Sequence, residues 1–283
     1  MRMKFGINTL AWVSPFDSAN LDVIYKAADL GFDTIEIAVE DVSLIDAAKI
    51  KIALKDTSLN CLVSGAFGPD RDIIHEDLAV RRNAKEYIEY CIDLAQELES
   101  DLVSGPAYSS VGKARYIPAE QKKKEWDLCR DSFKGLTRRA QEGGVRIALE
   151  PLNRFETDFI NLAKDAVRFA EEVGEPGIGV HLDTFHMNIE EKDICDAIVS
   201  TGKRLFHFHA SENDRGTVGS GHVPWKDVAE ALKRAGYDRY VVVETFVPGV
   251  KEIAKAASIW RQLEKDQDTL AQKSLDFLRS TFV

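Results

Sequence analysis

A chain of 283 residues, 45% hydrophobic and 30% charged, can bury a large core, and its length suits one α/β barrel or two ordinary domains. A formal net charge of −10 repels phosphodiester backbones and argues against a nucleic-acid partner. No run approaches the roughly 20 apolar residues of a membrane span, so no membrane partner is expected either.

The N-terminal stretch MRMKFGINTLAWV starts basic, but its apolar run is too short for a signal peptide and no small-residue cleavage site follows it. It reads as a first strand, Phe5–Asn8. Further strand-like runs fall at Thr34–Val39, Cys61–Ala66, Leu102–Gly105, Arg146–Glu150, Gly179–Asp183, Leu205–Ala210 and Tyr240–Thr245. Between them the spacing of apolar residues predicts helices. Ala19–Leu30 stops at Gly31, and Leu44–Asp56 takes Ser43 as its N-cap. Asp77–Leu98 is long, as is Pro118–Gln141, which opens on proline and ends at Gly143-Gly144. Asn161–Val173 is amphipathic, and Trp225–Ala235 lies between Pro224 and Gly236. The tail from Val250 reads as helix in two pieces, the later one carrying Ala271, Leu275, Leu278 and Phe282 in one stripe.

Strands alternating with helices imply βαβ units and a parallel sheet; eight of them imply a single (β/α)₈ TIM barrel over residues 1–283, with the helical tail 250–283 packed against it. An open doubly wound sheet usually carries a GxGxxG phosphate turn after its first strand; Asn8-Thr9-Leu10-Ala11-Trp12 stands there instead. The cysteines Cys61, Cys91, Cys129 and Cys195 form no CxxC pair. They read as reduced thiols of a cytoplasmic protein without a zinc knuckle.

In a barrel, the C-terminal ends of the strands share one mouth. Four consecutive strands here deliver Glu150, Asp183, His209 and Glu244 to it. One such acid alone is ordinarily a helix cap or a loop charge; four at equivalent positions are not accounted for that way. Three carboxylates at one mouth repel one another, and a divalent cation removes that cost. Three oxygens and an imidazole suit manganese, cobalt, magnesium or zinc and exclude a soft thiolate site. Period two along the strands puts His181 one layer below Asp183 and His207 one layer below His209, placed to orient the ligands. Glu156, His186 and Arg215 follow the ligands into the loops, where they would hold substrate hydroxyls and a carbonyl oxygen. Trp12 and Phe246, past the ends of the first and last strands, would wall the site against a sugar's carbon face.

A divalent ion chelating a carbonyl and its neighbouring hydroxyl acidifies the adjacent C–H. Glu150 and Glu244 lie three strands apart and approach from separate sides. Two carboxylates flanking a planar enediolate suit removal of a proton from one face and its return to the other. That favours epimerisation over the alternative on the same scaffold, an aldose–ketose or inosose-type isomerisation.

At these residues the sequence resembles the ketose 3-epimerases (D-tagatose and D-psicose 3-epimerases) of the xylose-isomerase-like barrel superfamily. The resemblance is carried by LEPLNRFE at 149–156, HLDTFHMNIEE at 181–191, HFHASENDR at 207–215, HVPW at 222–225 and VVETF at 242–246. It implies that Glu150, Asp183, His209 and Glu244 ligate one divalent ion per subunit, Mn²⁺ with Co²⁺ or Mg²⁺ as the other candidates. It also implies that Glu150 and Glu244 are the acid/base pair at C3, and that Glu156, His186 and Arg215 contact O1–O3 of a free ketose. A homodimer or homotetramer is implied as well. The stretches SGAFGPD at 64–70 and SGPAYSSVG at 104–112 would line the pocket around carbons four to six. GTVGSG at 216–221 lacks a lysine and reads as a flexible cover, which favours an unphosphorylated sugar. An apurinic-site endonuclease on a related barrel would need more than six histidines and a basic groove.

Overall fold

The computed structural model describes residues 3–248 and 258–282. Eight strands form the wall: β1 (Lys4–Asn8), β2 (Thr34–Val39), β3 (Asn60–Gly65), β4 (Leu102–Gly105), β5 (Arg146–Leu149), β6 (Ile178–Asp183), β7 (Leu205–Ala210) and β8 (Tyr240–Val243). Each pairs in parallel with the next, and β8 closes on β1. This is the closed (β/α)₈ barrel expected from the alternation of runs. Strands buried on both faces carry near-continuous apolar sequence; β2, β6 and β7 are buried at every residue.

The helices are α1 (Asp22–Leu30), α2 (Ala47–Thr57), α3 (Leu78–Glu97), α4 (Ala119–Glu142), α5 (Ala163–Val173), α6 (Thr184–Glu190), α7 (Ile194–Thr201), α8 (Trp225–Ala235) and a C-terminal helix, Gln267–Thr281. Two expectations need correction. The cap of α2 is Asp46, whose side chain accepts from the Lys49 amide at 3.2 Å; Ser43 instead lies in a short 3₁₀ turn capped by Asp41. Aspartate before a first turn competes well with serine for the cap. After β6, where no helix was expected, the chain forms α6 and α7. α6 starts directly on Asp183, whose carboxylate caps it by accepting from the Phe185 amide at 2.6 Å. Of the two helical pieces expected from Val250 onward, the first falls largely outside the described residues. The second is the C-terminal helix, which buries Leu270, Ala271, Leu275 and Leu278 beside β1, β8 and α8.

The closed wall divides the core in two. Between wall and helices lies the large apolar shell that includes Ile7, Ile35, Val63, Ile147, Leu182, Phe208 and Val243. Inside the barrel a small separate cluster, Leu62, Leu102, Ala148, Phe206 and Val242, plugs the interior. Phe206 enters it through an irregularity in strand pairing. Val180 pairs with Leu205, but the next residue, His181, pairs with His207, so β7 spends an extra residue there. Such a bulge re-aims side chains. Gly179 makes room for it: a Cβ there would meet the Phe206 ring at 2.5 Å. Beyond the bulge His181 lies opposite His207, and Asp183 opposite His209.

Candidate metal and substrate site

At the mouth, Glu150, Asp183, His209 and Glu244 each offer one ligand atom, all within 4.8 Å of one another, and all four residues are buried. β5 and β8 end at Leu149 and Val243, one residue short of their glutamates, so both carboxylates leave the wall at its rim. His209 Nδ1 lies 3.4 Å from Glu244 Oε1 and 3.8 Å from Asp183 Oδ2, and it has no hydrogen-bond partner. A buried nitrogen left without a partner and facing two carboxylates fits a cation. So does the donor chemistry of three oxygens and one imidazole.

Arg215 crosses the same space. Its Nη1 lies 2.6 Å from Asp183 Oδ2, 2.8 Å from Glu244 Oε2 and 2.7 Å from Ser211 Oγ. The guanidinium stacks over Phe185 at 4.1 Å and faces Phe246 at 5.1 Å. To point inward, Arg215 adopts a left-handed backbone, φ 64°, which costs a non-glycine residue about 1–3 kcal/mol. The Glu212 carbonyl accepts from the Arg215 amide at 2.9 Å, and Thr245 Oγ1 donates to the Arg215 carbonyl at 2.7 Å; both hold the turn.

His186 lies on the first turn of α6, not in a loop as its sequence position suggested. Its Nδ1 accepts from the Asn153 amide at 3.1 Å, which leaves Nε2 as the N–H. That nitrogen faces Arg215 Nη2 at 3.2 Å and Glu150 Oε1 at 3.7 Å. Two donors pointing at each other need an acceptor between or beside them. Asn153 also donates to Glu156 Oε1 at 2.7 Å, so it holds two of the expected contact residues at once. Trp12 is placed differently. Its indole N–H donates to Asp268 on the C-terminal helix at 2.8 Å, and Lys26 covers its ring at 5.7 Å. Its ring also packs against the apolar shell, whereas Phe246 faces the guanidinium.

One layer down, His181 and His207 are fully buried. The His181 ring lies 4.0 Å from that of His209, and its Nδ1 is 3.7 Å from Glu150 Oε2. Sequence reading missed Glu36, mid-strand on β2, whose Oε2 is 2.6 Å from His209 Nε2 and 3.3 Å from His207 Nε2. The available signal was an acid at an inward position of an otherwise apolar strand. Ser211 was missed too, although it continues the period-two series of His207 and His209. The 216–221 loop is not the free cover expected. Glu212 accepts from the Gly219 amide and the Trp225 indole, each at 2.8 Å, and Ser274 Oγ accepts from the Val218 amide at 3.0 Å.

The electrostatics follow from this packing. Burial, then the neighbouring Glu244, push the Glu150 carboxyl well above the usual range, and Asp183 adds to this. Burial is the largest influence on Asp183 and raises it, but Arg215, His209 and His186 together outweigh it and hold that carboxylate well below its ordinary value. Burial drives His186 down to about 3, so it is a neutral N–H donor at any physiological pH. Burial also raises Glu156.

Fold and site together define a xylose isomerase-like TIM barrel, and the model of that family matches residues 24–281. The D-psicose 3-epimerase of Ruminiclostridium cellulolyticum is 33% identical over 98% of this chain and 97% of its own. A ketose 3-epimerase of Arthrobacter globiformis is 32% identical over 98% and 96%. The Methylomonas D-allulose 3-epimerase in complex with D-allulose superposes with a TM-score of 0.92 at 29% identity, over 99% of this chain and 97% of that one. The chain belongs to the ketose 3-epimerase family of these barrels.

Proposed function

We propose that this protein is a metal-dependent ketose 3-epimerase acting on a free ketohexose or ketopentose. One observation carries the reading. Two glutamates from strands three places apart, Glu150 and Glu244, converge with Asp183 and His209 on a single buried centre. Glu150, Asp183, His209 and Glu244 would hold the ion, with Mn²⁺ first and Co²⁺ or Mg²⁺ as alternatives by donor set. When bound, the ion supplies Lewis-acid polarisation of a substrate carbonyl.

The chain's own groups do the rest. Glu150 and Glu244 reach the substrate from opposite sides. One takes the C3 proton, and the other returns a proton to the opposite face of the planar enediolate. His186 donates from Nε2, and Arg215 from Nη2. A substrate oxygen placed with both supplies the acceptor that these two donors lack. Glu156, steadied by Asn153, accepts from a hydroxyl. Phe246 backs the guanidinium and offers an apolar face. Aldose–ketose isomerisation by one base or by hydride shift does not require a second carboxylate as acid or base.

The same reading carries a homodimer or homotetramer in the cytoplasm. The exposed rings of Tyr116 and Phe155 support an assembly. They stand on loops joined by the Lys113–Thr157 bridge. Four unpaired cysteines support a reducing compartment. No helix among the described residues is long and apolar enough to cross a membrane.

The test is incubation of the Mn²⁺-loaded protein with fructose, tagatose, ribulose and sorbose in heavy water, with products resolved by chromatography and NMR. A C3 epimer carrying solvent deuterium at C3 is expected from at least one sugar. Aldose product or exchange at C1 alone would refute the reading.

A further inference from the structure

We propose that Glu36 is a positioning residue for the metal centre: its carboxylate accepts a hydrogen bond from His209 Nε2–H and thereby commits Nδ1 of that ring to the ion. The proposal rests on the metal-site reading above. Glu36 lies on β2, across the barrel from the strands that carry the ligands, and is completely buried. Its Oε1 accepts from Ser104 Oγ at 2.6 Å, and its Oε2 lies 2.6 Å from His209 Nε2. His207 Nε2 adds a contact at 3.3 Å.

An ionised carboxylate only accepts, so the His209 nitrogen against it carries hydrogen. The other nitrogen, Nδ1, is the one facing Glu244 and Asp183 without a hydrogen-bond partner. Without Glu36 the ring has no acceptor at Nε2, and the proton is free to sit on Nδ1, where it blocks a ligand bond. Stability alone does not explain the residue. A buried carboxylate is costly, and an apolar side chain of similar volume is often as stable or more so. Ser104 fixes the rotation of the carboxylate, which gives a chain from β4 through β2 to β7 that ends at the mouth. Outer partners of a ligating histidine typically contribute about 10–100-fold to metal affinity.

The experiment titrates metal-stripped protein with Mn²⁺ by calorimetry. Absence of binding by the wild type would remove the metal-site reading, and this proposal with it. Given wild-type binding, Glu36→Gln keeps the shape and deletes the charge. It is expected to weaken Mn²⁺ binding by about 10–100-fold, while the metal-free protein still unfolds cooperatively. Ser104→Ala is expected to move affinity in the same direction by less. Unchanged affinity in a folded Glu36→Gln variant overturns the proposal. If that variant does not fold, the wild type decides. Long-range ¹H–¹⁵N spectra of the Zn²⁺-loaded protein are expected to show the His209 proton on Nε2, and a proton on Nδ1 would overturn the assignment.

Discussion

Arg215 Nη1 and Asp183 Oδ2 meet at 2.6 Å, with both side chains almost wholly shielded from water. The same nitrogen serves Glu244, so one guanidinium neutralises part of a three-carboxylate centre. Removing one partner of a buried pair leaves an uncompensated charge, ordinarily at a cost of about 3–5 kcal/mol. Arg215→Ala is therefore expected to destabilise the metal-free protein by about that amount, and added Mn²⁺ should recover more of the loss than it adds to wild type. Turnover should fall by roughly 10²–10³-fold, as for loss of one preorganised donor. Thermal melts with and without Mn²⁺, beside steady-state rates, check both. Equal Mn²⁺ stabilisation in variant and wild type would contradict the charge argument.

Glu150 and Glu244 face the centre from β5 and β8, and the epimerase reading requires both. Glu150→Gln and Glu244→Gln are each expected to lower turnover by at least about 10²–10⁴-fold, the usual worth of a positioned acid or base. The fold should survive, as judged by circular dichroism. Calorimetric Mn²⁺ titration separates loss of the base from loss of the ligand. Substantial turnover by either variant, with product correctly inverted at C3, would remove that residue from the proton relay.

At the opposite end of the barrel, Asp101 is clamped by Arg239 Nη2 at 2.9 Å and by Arg146. Burial pushes the Asp101 carboxyl up, but the two arginines outweigh it and hold it below its ordinary value. A carboxylate depressed in the folded state contributes stability above its unfolded pKa and loses it as pH falls through the folded one. Asp101→Asn should therefore be less stable than wild type near pH 7, by at most about 1 kcal/mol, since this half-exposed group is screened by solvent. The gap should close as the solution is acidified below the normal aspartate range. Denaturant midpoints across that range test it; a gap that stays constant or widens in acid would contradict it.

How much of this was legible depended on whether the signal was local. Residues 146–150 and 179–183 read as strands because parallel strands buried on both faces are continuous apolar runs. Their terminal acids stood out against that background. Glu36 did not, because one acid within TIEIAV has no local partner. Ser104 and His209, which give it meaning, lie 68 and 173 residues away. α6 was hidden because it is only seven residues long and its cap is the metal-ligand candidate itself. The bulge at Phe206 was equally silent, since LFHFHA alternates cleanly whether or not a residue is added.

Phe155 is 74% exposed and Tyr116 wholly so, on adjoining loops over the mouth. Apolar rings left in water at one place suit a subunit contact. Phe155→Asp together with Tyr116→Asp is expected to lower the mass in light scattering to that of a smaller assembly or a monomer, with the far-ultraviolet spectrum unchanged. A wild type already at monomer mass would refute the assembly reading, and an unchanged mass in the variant of a larger wild type would remove these rings from the contact.

Gly179 ties the plug of the barrel to the metal centre. A methyl group there would meet the Phe206 ring at 2.5 Å and the Arg204 carbonyl at 2.6 Å. The ring already fills the apolar cluster with Arg146 over its face, and the carbonyl belongs to the backbone entering β7. Relief must come from β6 and β7 sliding or parting, and their register is what sets His181 against His207 and Asp183 against His209. Gly179→Ala should thus cost about 1–3 kcal/mol, the usual penalty of overpacking. In a chain of this size each kcal/mol lowers the melting temperature by about 2–4 °C. Unlike an overpacking change elsewhere in the shell, it should also weaken Mn²⁺ binding, because Asp183 and His209 lie downstream of the strain. Comparison with Ala53→Val, an overpacking change at a buried position on α2, separates the two effects. Equal loss of stability in both variants, with Mn²⁺ affinity lowered only in Gly179→Ala, is the expected pattern; intact affinity in Gly179→Ala would uncouple the bulge from the site.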